Sequence, residues 1–271
     1  MVASLVGSVT ARFRRSAVVV ATAAVMLGGC ASTDTGAAEV WDPLEAPNRF
    51  IFSFNRAIDL IAFRPLAVAY RDWVPEPAQK GLRNMLDNLG EPVTALNEVV
   101  QGSPGRAATT IGRFLVNSTI GIAGIFDVAS SMGMSKTKED AGKTVGYLAG
   151  PGVEPENGGF YIVLPLIGPS NARDGVGMAI DAAADPFSIV MFSISSTAGW
   201  IATGARYGAT AIDARSRTLF ALDDLEKNSV DYYAALKSAY TQQRADLIRQ
   251  KREKTTGKAE IDRRDNLALV R

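Results

Sequence analysis

The side chains that most often carry out chemistry in proteins are scarce in this sequence, which has no histidine and a single cysteine among 271 residues. Without histidine there is no Ser-His-Asp or Cys-His catalytic pair and no imidazole metal ligand. One cysteine also excludes an internal disulfide and a cysteine-cluster zinc site. We therefore predict no catalytic residues, no metal site and no cofactor. The formal net charge of +1 argues against nucleic-acid binding.

The single cysteine, Cys30, lies in a context that predicts a covalent modification. Basic residues at positions 12, 14 and 15 precede an uncharged, mostly apolar run over residues 16–27, as in a secretory signal peptide. The run is shorter than the about 20 apolar residues that span a bilayer. It ends in Leu27-Gly28-Gly29-Cys30, which resembles the bacterial lipobox and implies cleavage before Cys30 and acylation of the new N-terminus. The alternative is a plain secretory signal with an incidental cysteine.

The charges of the remaining chain are divided unevenly. Residues 30–243 contain 17 basic and 23 acidic side chains, whereas residues 244–271 contain 9 basic and 5 acidic ones. We predict a signal peptide over residues 1–29, a small and polar tether over 30–40, a helical domain over 41–250 and a charge-rich, disordered tail over 251–271.

Helical periodicity and helix-breaking residues divide the first half of the domain. Apolar residues at helical spacing follow Pro47, and a second helix is expected from Pro75 or Pro77 to a stop at Gly90. Pro92 is expected to start a third helix, which ends at Gly102. Ser103-Pro104 is typical of an N-cap followed by a proline in the first turn, and so predicts a fourth.

The middle of the chain is richer in glycine, with nine glycines between Gly121 and Gly159. This pattern indicates a long loop or a helical hairpin with glycine hinges. The apolar run over 160–167 is interrupted by Pro165 and fits an edge strand or an extended packed loop. Ser170 or Asn171 is expected to cap a helix that ends before Asp185-Pro186.

Residues 186–205 contain no charged side chain. The segment is long enough to cross a bilayer, but its hydroxyl residues and glycines weaken that interpretation. Two interpretations stay open: a buried pair of core helices, the second capped by Thr197, or a pair that lies within lipid. Further helices are expected around Leu219, Leu222 and Leu225, and from a cap at Ser229.

Short motifs occur in a fixed order along most of the mature chain, and together they resemble the MlaA/VacJ family of outer-membrane lipoproteins. Each tripeptide is weak alone, but the series stands behind a lipobox and covers roughly residues 41–240. It comprises Asp42-Pro43-Leu44-Glu45, Asn48-Arg49, Arg64-Pro65, Tyr70-Arg71-Asp72, Val74-Pro75, Asn84, Asn88-Leu89, Glu91-Pro92, Asn97, Gln101-Gly102, Arg113-Phe114-Leu115-Val116-Asn117, Phe126-Asp127-Val128-Ala129, Glu139-Asp140, Leu164-Pro165-Leu166-Ile167-Gly168-Pro169-Ser170 and Arg173-Asp174.

The resemblance implies an all-α protein: a single ring-shaped bundle of short helices with a glycine-hinged hairpin, embedded in the periplasmic leaflet of the outer membrane. It implies an amphipathic channel that removes mislocalised phospholipids from the outer leaflet. The implied partners are glycerophospholipids, an outer-membrane porin trimer and a periplasmic phospholipid carrier. Ala31 favours the outer membrane by analogy, because an aspartate after the lipidated cysteine commonly retains lipoproteins in the inner membrane. Residues 151–159 look longer and more acidic than the family's glycine-rich turn.

Two sets of residues are candidates for the site. The motif at the start of the first helix is expected to form a structural network, with headgroup contact as the alternative; it consists of Asp42, Pro43, Glu45, Asn48 and Arg49. The glycine-rich segment is expected to gate the lipid path. Its lipid-path residues are Ile122, Gly124, Ile125, Phe126, Val128, Gly142 and Gly146, and its possible headgroup contacts are Lys136, Lys138 and Lys143. A mobile surface loop with a small core of its own is the alternative.

Two function classes follow. The first is a lipid-translocating channel without enzymatic activity. The second is a structural or assembly lipoprotein that docks porins or envelope complexes without moving lipid. A periplasmic hydrolase is disfavoured because the sequence has no histidine and no assembled nucleophile.

Overall fold

The computed structural model describes residues 40–269, most of which form helices. The signal peptide, Cys30 and residues 30–39 of the predicted tether lie outside this range. The elements, in chain order, are α1 (Glu45–Ile58), a π-helical turn (Asp59–Phe63), α2 (Arg64–Trp73), α3 (Glu76–Val100), α4 (Pro104–Thr119), α5 (Val128–Ser131), α6 (Ala141–Leu148), β1 (Tyr161–Leu164), β2 (Gly168–Asn171), α7 (Ala172–Ala184), α8 (Pro186–Ile194), α9 (Ser196–Asn228) and α10 (Tyr232–Leu269).

The all-α class is confirmed, since the described residues add only one two-stranded sheet to the helices. The prediction of uniformly short helices is wrong: α3, α9 and α10 have 25, 33 and 38 residues. The ring shape and the position in a membrane leaflet stay predictions.

The first helical stretch passes through Pro65 without a break. A proline has no N–H for the ordinary helical hydrogen bond, and its ring crowds the carbonyl four residues earlier. Here the π-helical turn Asp59–Phe63 comes directly before Arg64-Pro65 and widens the backbone at that point. The stretch ends at Val74, which is extended because a proline follows it.

The expected break at Gly90-Glu91-Pro92 does not occur, because α3 runs through it from Glu76 to Val100. Buried polar side chains on both sides of Pro92 contact α4 and a later loop. Asn88 and Glu91 before it bond to Ser118 and Arg113, and Glu98 after it accepts from Thr110 and Thr137. These long-range contacts outweigh the local cost of an internal glycine and proline. The predicted start of α4 at Pro104 is confirmed, although the Ser103 side chain makes no capping hydrogen bond.

The small sheet fits the edge strand that was expected around Pro165. Strands β1 and β2 are antiparallel, with Tyr161 opposite Asn171 and Leu164 opposite Gly168. Of the two expected caps of α7, Ser170 and Asn171, the structure shows Asn171. Its side chain accepts a hydrogen bond from the Asp174 backbone N–H.

The second half differs from the prediction at two helix starts. Ser195, rather than Thr197, caps α9, since its hydroxyl accepts from the Ala198 N–H at 2.9 Å. The segment around Leu219 belongs to this same helix. Asp231, rather than Ser229, caps α10 by accepting from the Ala234 N–H at 3.2 Å.

The prediction of disorder from residue 251 is wrong for residues 251–269, which continue α10. The charged side chains at residues 251 and 252 have partners that the sequence does not reveal. Lys251 is buried and its ammonium group lies 3.0 Å from Glu139. Arg252 donates hydrogen bonds to the backbone carbonyls of Gly146 and Val153.

Candidate functional site

Polar residues dominate the interior of the described chain. Within residues 40–257, 21 buried residues are polar or charged, and only 11 are apolar. Six of the apolar ones are alanines, at positions 67, 95, 107, 129, 141 and 245. Three of the larger ones, Tyr161, Val163 and Tyr233, form a small cluster. A soluble domain is usually held together by large apolar side chains, so this interior is unusual.

The first polar cluster is centred on Arg113 of α4, whose side chain is 1% exposed. Its guanidinium lies 3.2 Å from Glu91 and 3.0 Å from Asp127, and it also donates to the Met134 carbonyl at 2.7 Å. Burial alone would raise the pKa of Asp127, but hydrogen bonds from Ser130, Asn117 and Arg113 lower it to about 2. Burial raises the pKa of Glu91, and Arg113 offsets this only in part.

The second cluster joins α3, α6 and α10 around two buried carboxylates. Glu98 accepts hydrogen bonds of 2.7 Å from both Thr110 and Thr137. Glu139 lies 3.0 Å from both Lys143 and Lys251. This cluster fixes the middle of α10 against α3 and the residues before α6.

A third cluster holds α7 and α10 together. Arg244 of α10 lies 2.8 Å from Asp140 and 2.9 Å from Asp174. Burial by itself would raise the pKa of Asp140 and of Asp174. Hydrogen bonding and charge pairing with Arg244 nevertheless lower the pKa of Asp140, and those with Arg173 and Arg244 lower the pKa of Asp174. The Tyr240 hydroxyl donates to Asp174 at 2.6 Å.

The motif at the start of α1 forms a network of side-chain hydrogen bonds and ion pairs. Asp42 accepts hydrogen bonds from Asn48 at 2.8 Å and from Lys237 at 3.2 Å, and also from the hydroxyl of Tyr233. The buried Asn48 side chain bonds to the backbone of β1 at Tyr161 and Val163.

Arg49 completes this network on the outside of α1. It pairs with Glu45 at 2.7 Å and with Asp231 at the start of α10. Its guanidinium also lies 4.4 Å from the centre of the Tyr233 ring. Pro43 is exposed in the turn before the helix. The motif therefore ties the first helix to β1 and α10.

The loop over residues 121–127, here called the apolar loop, is tightly held. The Gly124 N–H donates to the Asn117 carbonyl at 2.7 Å, and the Phe126 N–H donates to that of Gly121 at 2.9 Å. A Cβ atom at Gly124 would lie 2.6 Å from the Asn88 Cβ, and Gly124 has φ +90°. Ile122, Ile125 and Phe126 are nonetheless exposed.

The other two predicted hinge glycines also mark close contacts. A Cβ atom at Gly142 would lie 2.5 Å from the Asp174 carboxylate, and one at Gly146 would lie 2.5 Å from Ile248. Both glycines are buried inside α6. Close packing, rather than freedom to rotate, explains the glycine at these positions. Val128, at the start of α5, is partly buried.

The three candidate lysines are already paired with carboxylates. Lys136 lies 2.7 Å from Asp87, and the strongly exposed Lys138 lies 3.8 Å from the same carboxylate. Lys143 is engaged with Glu139. A headgroup phosphate would therefore have to compete with these carboxylates for the lysines.

The uncharged segment 186–205 exposes most of its large apolar side chains, which contradicts the interpretation as a buried core pair. The exposed fractions are 68% for Ile194, 72% for Trp200 and 68% for Ile201. At the base of this hairpin, the buried Asp185 carboxylate lies 2.7 Å from Arg206. Phe192 and Trp200 pack edge to face across it.

Exposed apolar side chains continue over other parts of the surface. Phe50, Ile61 and Trp73 on the first helical stretch are 75%, 77% and 84% exposed. Large apolar side chains exposed in such number usually mark contact with lipid or with a partner.

One feature of the sequence indicates the polar clusters, but it does not show which of their members pair. Charged residues such as Glu91, Glu98 and Arg113 occur among apolar residues within helical segments, which indicates buried charges with partners elsewhere in the fold. Their partners are 12 to 39 residues away in sequence. Such pairs are set by the fold and not by local spacing.

Two further observations concern membranes and metals. Among the described helices, no single one is long and apolar enough to cross a membrane, although α7 and α8 together, bent by 53°, meet that length and composition. Within the part of the chain that the structure describes, no three acidic, cysteine or histidine side chains are grouped as metal ligands.

The fold and its surfaces define a class: helical proteins with a polar interior and an apolar exterior. The sequence matches the profile of the MlaA lipoprotein family over residues 40–247, and the chain belongs to that family. It is 33% identical over 241 residues to the intermembrane phospholipid transport system lipoprotein MlaA of Escherichia coli (strain K12), covering 88% of this chain and 89% of that protein.

Other similarities agree with this assignment. An uncharacterised protein of Rickettsia prowazekii (strain Madrid E) is 36% identical over 207 residues, 76% of this chain and 77% of that protein. A solved structure reported under "Structural basis for maintenance of bacterial outer membrane lipid asymmetry" has a TM-score of 0.63 and 32% identity, and covers 76% of this chain and 98% of that one.

Proposed function

We propose that this chain is an outer-membrane lipoprotein that removes mislocalised phospholipids from the outer leaflet. It is anchored in the periplasmic leaflet through acylated Cys30, passes lipid along its own polar surfaces and delivers it to a periplasmic carrier. The proposed activity breaks no covalent bond and needs no cofactor. Family membership and the relatives named for phospholipid transport support this proposal.

The observation that carries the proposal is the inverted distribution of polarity. Large apolar side chains on α1, α2 and the α8–α9 hairpin are exposed, whereas ion pairs and amides fill the interior. Exposed apolar surface is unfavourable in water and favourable among acyl chains. A charged phospholipid headgroup, in contrast, needs polar partners wherever it leaves water. The same molecule offers both environments.

The apolar loop is the part that we assign to acyl-chain contact. Ile122, Ile125 and Phe126 project from a backbone that is held by hydrogen bonds, with Gly124 packed against Asn88 and Val128 starting the next helix. Gly142 and Gly146 act one layer deeper, where they let α6 approach α7 and α10 closely. We propose a fixed apolar edge of the lipid path in place of a swinging gate.

The partners of the proposed pathway are a porin trimer and the carrier. The porin would hold the lipoprotein beside the outer leaflet, and the carrier would set the direction of net flow by removing lipid. Exposed apolar side chains on the helices are available to both lipid and porin.

The test is the labelling of outer-leaflet phospholipid in a deletion strain complemented with variants. Wild-type complementation is expected to lower the exposed phospholipid, and Phe126→Asp to leave it high at an unchanged protein level. Gln243→Asp, an exposed change on α10 outside the loop, is the matched control for added charge and is expected to restore low outer-leaflet labelling.

Native mass spectrometry of the detergent-extracted lipoprotein separates the two function classes. Phospholipid that copurifies in addition to the covalent anchor is expected. The proposal is overturned if the purified lipoprotein carries porin but no phospholipid and if its deletion leaves outer-leaflet labelling unchanged. The lipoprotein would then be a docking module.

A further inference from the structure

One cation beside the second polar cluster is held far more weakly than its neighbours. The Arg106 guanidinium lies 3.9 Å from both Glu98 and Glu139, and its hydrogen bonds to Ser103 and Gln101 are 3.3 and 3.5 Å long. The two carboxylates have much shorter contacts with other partners, at 2.7 Å to threonine hydroxyls and 3.0 Å to lysines. Among the described residues, Arg106 is the only cation within 4 Å of Glu98, but at 3.9 Å its guanidinium forms no hydrogen bond with either carboxylate. Its N–H donors are therefore available to another partner.

The charge balance at these carboxylates points the same way. Three cations, Arg106, Lys143 and Lys251, lie within 4 Å of Glu98 or Glu139. Lys251 and Lys143 are nearly enclosed, with side chains 3% and 11% exposed, whereas that of Arg106 is 38% exposed. Of these three cations, Arg106 is thus the one that an external ligand can reach.

Arg106 borders an open cavity of about 440 Å³ that none of the candidate lysines lines. The Ser135 hydroxyl also lines the cavity and has no hydrogen-bond partner among the described residues. The hydroxyls of Thr110 and Thr137 are committed to Glu98. The apolar part of the wall is provided by Met132 and Met134.

The chemistry of this wall is amphiphilic. A guanidinium presents several N–H donors in a fixed plane that suits phosphate oxygens, and a free hydroxyl can add another donor. Methionine side chains are flexible and adapt to apolar ligands of irregular shape. A ligand with a phosphate group next to apolar atoms satisfies both parts.

We propose that Arg106, Ser135, Met132 and Met134 form a subsite for the phosphate ester of a phospholipid headgroup. The inference rests on the proposed function and replaces Lys136, Lys138 and Lys143 as the headgroup contacts. The guanidinium and the Ser135 hydroxyl donate to the phosphate oxygens, and the methionines contact the glycerol and the first acyl carbons.

The test is calorimetric titration of the full-length, delipidated lipoprotein in detergent with two probes, dihexanoylphosphatidylglycerol and inorganic phosphate. The short-chain lipid is expected to bind at least about tenfold more tightly than phosphate, because only the lipid contacts the methionines. Arg106→Gln is expected to weaken lipid binding about tenfold or more through loss of a charge-assisted contact. Lys227→Gln removes the same charge at an exposed position far along the chain and is expected to change nothing.

Met132→Glu is the second variant. The Met132 side chain is exposed, so its replacement is expected to leave the fold intact, and a carboxylate at this position repels phosphate. Circular dichroism melting checks each variant. Unchanged lipid affinity in Arg106→Gln or in folded Met132→Glu overturns the subsite, as does equal affinity for lipid and phosphate. The proposed function fails separately, if deletion of the whole lipoprotein leaves outer-leaflet phospholipid unchanged.

Discussion

The Arg113 cluster and the α8–α9 hairpin are both helical, but they place their polar and apolar groups in opposite ways. In the cluster, a guanidinium that is 1% exposed lies between two carboxylates and two helices. In the hairpin, Ile194 and Trp200 extend outward from a segment without charge. Within residues 185–206, the only ion pair is at the base of the hairpin, between Asp185 and Arg206.

This difference shows that the two regions depend on different interactions. Directional hydrogen bonds and charge pairs hold the interior, so removal of one partner leaves another buried and unsatisfied. The hairpin gains little from its own outer side chains, since they contact few other residues. The interior should therefore be sensitive to single substitutions in solution, and the hairpin should not.

The largest effect is expected for Arg113→Met, which removes the centre of the cluster. Glu91 and Asp127 lose their shared cation, and breaking a buried pair in this way costs about 3–5 kcal/mol. Denaturant unfolding of the detergent-solubilised lipoprotein measures it. Arg71→Met is the matched control, because Arg71 pairs with Asp72 on the surface; a loss as large in the control would contradict the distinction between regions.

A smaller but definite loss is expected for Gly177→Ala. A Cβ atom at Gly177 would lie 2.2 Å from the Gly142 backbone nitrogen, so α6 and α7 would have to separate. Overpacking of this kind costs about 1–3 kcal/mol. Gly208→Ala in α9 has nothing within 4 Å of the new atom and is expected to be neutral or stabilising, as thermal melting of both variants will show.

The sequence predicted local features well and long-range ones poorly. Pro104 and Asn171 start their helices as expected, because caps and first-turn prolines act within a few residues. Pro92 and the residues after 251 were misread, because their helices are held by contacts with α4 and with Glu139. Periodicity identifies an apolar face, but it does not tell whether that face meets a core or a membrane.

The candidate site shows the same limit. The exposed residues of the apolar loop were identified from composition, but their glycines were taken as hinges when Gly124 is packed against Asn88. The lysines were chosen for their charge alone, and Asp87 and Glu139 already neutralise them. Arg106 was not singled out, since its weak pairing is visible only when the distances are known.

Acid titration is expected to resolve the two carboxylates of the Arg113 cluster. The pKa of Glu91 is raised in the folded state, so its protonation adds stability as the pH falls towards the unfolded value. The pKa of Asp127 is lowered to about 2, so its contribution is present above about pH 4 and is lost as the pH falls towards 2. Asp127→Asn should remove the second change and Glu91→Gln the first, when unfolding is measured from pH 7 to 2.

The smallest effect on stability is expected at the outer surface of the hairpin, where a matched pair of substitutions makes the contrast direct. Ile194→Ser changes a side chain that is 68% exposed, and its unfolding free energy in detergent should stay within about 0.5 kcal/mol of wild type. The same replacement at Ile248, which is fully buried against Gly146, should cost about 2–5 kcal/mol.

If lipid covers the hairpin, Ile194→Ser should instead weaken binding to phospholipid vesicles in a form without the acyl anchor. Ile248→Ser should leave vesicle binding unchanged at temperatures where it is folded. Equal destabilisation at both positions would mean that the hairpin packs against protein, and its apolar side chains would then belong to an interior.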